Sequence, residues 1–128
     1  MKSHSKFRSL SYIEQLNFLT HGVSFIIVVL TVPLLLLRSF NFNASIFEIL
    51  TIVGFLVGSL MMFGTSTMYH YNIDVEQKKL WRLADHIGIY IMIAGSYSPF
   101  LAIYFWQPKG QFILISMWTM AFLGVIFK

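Results

Sequence analysis

The sequence predicts an all-α integral membrane protein with four transmembrane helices and a cytoplasmic N-terminus. Three observations predict it. The 128 residues are 57% hydrophobic and only 11% charged, with 13 Phe among them and a mean hydropathy of +0.73. A soluble domain carries about 25% charged residues, so this chain cannot keep its apolar surface from water by folding alone. The apolar residues are gathered into four long runs separated by short polar stretches. The Lys and Arg residues are shared unequally between the two sides that those runs define.

In chain order, residues 1–21 form a polar, basic segment with Lys2, Lys6 and Arg8. Within it, Ser11 to His21 reads as a short amphipathic helix lying at the membrane surface, with Tyr12, Leu16 and Leu19 on one side. The first span covers about 22–37 and contains Pro33, which a membrane helix tolerates. A polar turn follows. The second span covers about 48–70 and contains Gly54, Gly58, Ser59 and Gly64, small residues that let helices approach closely. Gly54 and Gly58 form a GxxxG pattern, read here as packing within a bundle. Residues 71–84 read as a charged loop with Asp74, Glu76, Lys78, Lys79 and Arg82. The third span covers about 85–106, with a kink or local unwinding expected at Pro99. After a turn at Gln107 to Gly110, the fourth span covers about 111–127. Tyr12, Tyr71, Tyr90, Trp81 and Trp106 suit an aromatic belt at the membrane interfaces.

Placing the N-terminus inside puts Lys2, Lys6, Arg8, Lys78, Lys79, Arg82 and Lys128 on the cytoplasmic side, against Arg38 and Lys109 outside. This is the positive-inside pattern of a multi-pass protein of the plasma (inner) membrane, and the lipid bilayer is the expected partner. The formal net charge of +4 does not point to nucleic acid, because the charges lie between apolar runs and make no dense basic patch. The absence of Cys excludes disulfides, thiolate metal ligands and cysteine nucleophiles. Oligomeric state cannot be read from the sequence.

The same topology gathers polar groups at one end. The second span ends, and the third begins, at the inner face, so His70 and Asp85 are expected at similar depth on antiparallel neighbours. Ser66 and His70 are four residues apart and share a helix face. Glu14, Asn17 and His21 approach from the first segment. An ionisable group near the apolar layer is a candidate functional group. A histidine at a span end is also what an ordinary interfacial residue looks like, and both readings stand on the residues alone. Asp85 and His86 point about 100° apart on a helix, so one of them faces away from the centre.

At these residues the chain resembles the hemolysin III family, within the superfamily of progestin and adipoQ receptors. The motifs are Glu14-x-x-Asn17-x-x-Thr20-His21-Gly22, Ser66-x-x-x-His70, and Arg82-Leu83-Ala84-Asp85-His86 followed by Ile93-Ala94-Gly95-Ser96-Tyr97-Ser98-Pro99. The resemblance implies a seven-helix bundle, of which four helices are present here, and a zinc ion near the cytoplasmic side. It makes His70 a zinc ligand, gives Asp85 a zinc-bound water to hold, and sets Ser66 beside the site. Two further ligands belong to an H-x-x-x-H motif in a seventh span, and this sequence has no such motif. The reading that follows is an N-terminal portion of a longer chain, with a complete four-span protein as the second reading, and in either case an incomplete Zn2+ site that binds zinc weakly or not at all. For the full-length parent the implied activity is zinc-dependent hydrolysis of a lipid amide or ester, with Asp85 and Ser66 as catalytic residues. The alternatives are a pore-forming, cytolytic protein and a membrane regulator without catalysis.

Overall fold

The computed structural model describes residues 7–128. Beyond a short N-terminal turn they form four long helices: α1 (Tyr12–Asn41), α2 (Ile46–Tyr71), α3 (Val75–Tyr104) and α4 (Pro108–Ile126). There is no strand among the described residues. Each helix is long and apolar enough to cross a membrane. Lys2 and Lys6, used in the charge count, lie outside the described residues. Of the cations within them, Arg8, Lys78, Lys79, Arg82 and Lys128 lie at one end of the helices and Arg38 and Lys109 at the other.

The helix boundaries follow from local capping chemistry. Ser11 opens α1 by accepting from the Glu14 N–H, and Ser45 opens α2 in a complete capping box with Glu48. Asp74 opens α3 by accepting from the Gln77 N–H at 2.9 Å. Pro108 occupies the first turn of α4, where a missing N–H costs nothing. Each cap satisfies a donor that the helix itself cannot. At the turn after α1, Asn43 takes φ 51°, a left-handed conformation that Asn tolerates.

These caps correct two expectations. Residues 12–21 are not a separate surface helix; they are the first turns of a continuous 30-residue α1. The expected charged loop at 71–84 shrinks to Asn72, Ile73 and Asp74, because Glu76 to Ala84 are good helix formers behind an Asp cap. The local unwinding expected as one alternative at Pro99 is absent, since α3 is continuous there.

The helices pack mainly on their chain neighbours: α1 on α2, α2 on α3, and α3 on α4, with α2–α3 the closest pair. That pair is built on small residues. A Cβ at Gly88 would come within 2.9 Å of the Met62 backbone. One at Gly95 would come within 3.0 Å of the Gly54 carbonyl oxygen, and one at Gly58 within 3.1 Å of the Ile91 carbonyl oxygen. Ser59, Ala94, Ser98 and Ala102 are buried beside them. The large apolar side chains point outward instead: Leu30, Leu34, Phe112, Met120 and Phe122 are all more than 60% exposed. Small inside and greasy outside is the arrangement of a lipid-facing bundle. In the GxxxG pair, only Gly58 presses its Cβ position against another helix; that of Gly54 faces open space. Tyr90 also departs from its expected interfacial place. It lies midway along α3, and its ring fills the slot left by Gly124 on α4, within 2.7 Å of where a Cβ would stand.

Candidate functional site

The close approaches between α2 and α3 fix their register. Gly88 faces Met62, Gly95 faces Gly54 and Phe55, and Gly58 faces Ile91 and Met92. Continued along the antiparallel pair, this register sets Asp85 level with Gly64 and Thr65. His70 lies at the end of α2, level with the first turns of α3. His70 and Asp85, expected at similar depth, thus differ by between one and two turns of helix. The reason is the short loop, which starts α3 about three turns before Asp85.

The centre of the site is a three-helix ion-pair chain. Glu14 on α1 holds His70 Nδ1 through Oε2 at 2.6 Å and accepts from Lys78 Nζ on α3 through Oε1 at 2.5 Å. All three side chains are largely covered, at 14% exposure for His70, 24% for Glu14 and 29% for Lys78. A part-buried carboxylate shared between an ammonium and an imidazole is held far more firmly than an exposed surface pair. One carboxylate thus ties α1, α2 and α3 together at one end.

Glu14 has given up a local role to do this. At Ser45 and Glu48, serine and glutamate cap each other reciprocally. At Ser11 and Glu14, the same spacing makes only the serine half, at 3.3 Å. The Glu14 carboxylate is turned away from its own helix end and toward His70 and Lys78.

Aromatic rings close around the chain. The His21 ring stacks on His70 with centroids 5.8 Å apart and planes within 9°. Tyr69 lies against His70 at 4.8 Å, and the Lys78 ammonium sits 5.1 Å from the centre of the Tyr69 ring. Asp85 lies within electrostatic reach of His21. Ser66 is buried at 4% exposure, one turn from His70. Gly22 packs on Thr67, and Gly64 receives the Phe25 ring, which brings α1 close enough to α2 for Glu14 to reach across.

Of the residues singled out from the sequence, Glu14, His21, Ser66, His70 and Asp85 thus gather at one end of the helices. Asn17 bonds locally, its carbonyl accepting from Thr20 Oγ1. His86 faces a different part of the surface, with Lys79, Arg82 and Lys128. Lys78 was missed, because its run was read as loop. The available signal was the Asp74-x-x-Gln77 cap, which starts a helix and sets Lys78 in its first turn.

The donor set does not fit a metal ion by itself. Among the described residues, no group of three His, Cys, Asp or Glu side chains is arranged so as to hold one. His70 offers a nitrogen, but Nδ1 is engaged by Glu14 and the Lys78 ammonium is close by. What the arrangement can do unaided is fix an imidazole in one orientation beside a buried hydroxyl and a carboxylate.

Comparison with known proteins gives a consistent result. The family model described as haemolysin-III related matches residues 12–128. The chain is 35% identical to Hemolysin-3 of Bacillus cereus over 90% of its own length and 52% of the relative's. It is 30% identical to a Hemolysin-3 homolog of Bacillus subtilis (strain 168), over 90% of its own length and 54% of the relative's. The chain spans about half the length of these curated relatives. No solved structure matches it.

Proposed function

This chain belongs to the haemolysin-III related family, and on that premise we propose that it supplies one part of a hydrolytic centre in a longer membrane protein acting on a lipid amide or ester. His70 is the donor it offers to a zinc ion, with the remaining donors coming from segments that correspond to the other half of the relatives. Zinc, when bound, lowers the pKa of a coordinated water and polarises a carbonyl. Because the residues here do not complete such a centre, only the roles of this chain's own groups are assigned. Glu14, anchored by Lys78, holds the His70 ring in place. Asp85, between one and two turns deeper, is the group to orient a water or take its proton. Ser66 lines the space between them.

The observation that carries the reading is the Glu14–His70–Lys78 chain. Three ionisable groups from three helices converge at the end where the cations cluster, inside an otherwise apolar domain. Such groups are costly near lipid, and a function is the default reason for them. Two measurements test it. Zinc titration of purified 1–128 is expected to give weak binding at most; tight stoichiometric zinc that disappears in His70→Ala would show that this half completes the centre alone. Lipid-amide hydrolysis by the longer protein is expected to fall by a factor of 100 or more, at the scale of a lost general base, in Asp85→Ala. Equal rates would refute the assignment.

The relatives' name motivates a second reading, a membrane-perturbing protein. The charged side chains lie toward the two ends of the helices rather than along their length, which weighs against a pore. Dye release from liposomes that survives loss of both His70 and Asp85 would favour it.

A further inference from the structure

A second polar site lies on the same end of the helices, outside the Glu14 cluster. Lys79, Arg82, Leu83 and His86 of α3 meet Lys128, just beyond α4, around a cavity of about 380 Å3. This is about a dozen water volumes at ~30 Å3 each. Arg82 and His86 are one turn apart on a single face, with Lys79 one turn before them. Among the described residues, Arg82, His86 and Lys128 take part in no ion pair, and Lys79 pairs only with Glu76. That pair is 61% and 80% exposed, so it holds Lys79 weakly. No Asp or Glu side chain lines the cavity. Three cations and an imidazole therefore face one space with no acidic side chain among them.

We propose that this pocket binds the phosphate group of an anionic phospholipid. Arg supplies a planar fork that matches phosphate oxygens, and Lys supplies mobile point charges around it. Basic residues at the end of a transmembrane helix are the usual device for holding an anionic headgroup. Leu83 lines the cavity, while Leu80 of α3, Leu123 of α4 and Phe127 just before Lys128 are exposed. A lipid can place its phosphate among the cations and its chains along those side chains, whereas free phosphate uses only the first half of the site.

Trp81 stands beside Arg82 and serves as a reporter. In a Trp106→Phe, Trp118→Phe background reconstituted in bilayers, brominated phosphatidylglycerol is expected to quench Trp81 with a binding constant at least about 3-fold above that of brominated phosphatidylcholine. Arg82→Gln should bring that ratio to about 1, Arg82→Lys should retain part of it, and Lys109→Gln, at the opposite end, should leave it unchanged. Circular dichroism checks that each variant keeps its helicity. A wild-type ratio of 1, or one that Arg82→Gln leaves intact, overturns the proposal. Millimolar inorganic phosphate, compared with chloride at equal ionic strength, separates the sources. Loss of the lipid preference in phosphate alone would overturn the lipid assignment and leave a soluble phosphate ligand.

Discussion

The two ends of the helices use similar residues in opposite ways. At the end that carries Arg38 and Lys109, polar groups are satisfied within their own turn. Glu48 caps its own helix through Ser45, and Arg38 lies over the Phe42 ring at 4.7 Å. At the other end, Glu14 reaches residues 56 and 64 positions further along the chain. Local pairs define where a helix begins and stops. Long-range pairs fix helices against one another, and they mark the place where polar chemistry is kept despite its cost near lipid. Both ends follow the same serine–glutamate spacing, so the difference lies in where the third partner stands.

This contrast can be broken by substitution, read as unfolding free energy in detergent. Glu14→Ala should have the largest effect, about 2–3 kcal/mol, because it leaves a covered imidazole and ammonium without their carboxylate. Gly88→Ala should follow at about 2 kcal/mol, since its Cβ meets the α2 backbone at 2.9 Å and the helix pair must spread. Gly54→Ala, where nothing lies within 4 Å, should be neutral or stabilising by about 0.5 kcal/mol. Equal losses at Gly54 and Gly88 would mean that the helix register is wrong.

The smaller effects belong to the local contacts. Ser45→Ala should cost about 1 kcal/mol, the ordinary value of an N-cap. Lys79→Gln should change stability by less than about 0.5 kcal/mol, because its pair with Glu76 is exposed. A Ser45→Ala loss larger than that of Glu14→Ala would reverse the comparison between the ends.

Hydropathy and the distribution of Lys and Arg were enough to read the fold class, because four apolar runs in so short a chain leave few alternatives. The gathering of His21, Ser66, His70 and Asp85 was also legible, since antiparallel neighbours must bring those span ends together. Three features were not. The charge at 75–84 reads as loop, although Asp74 and Gln77 announce a helix there. The relative depth of Asp85 depended on that helix start. The pairing of Glu14 with Lys78, and the meeting of Lys128 with Arg82, depend on how distant helices sit side by side. No periodicity in one segment encodes that.

The central claim is that Glu14 acts across helices, on His70. A double-mutant cycle with Glu14→Gln and His70→Ala measures this directly. Coupling of about 1–2 kcal/mol is expected for this pair, with coupling near zero for Glu14 and His86 in the same protein. Additive losses at Glu14 and His70 would contradict the claim.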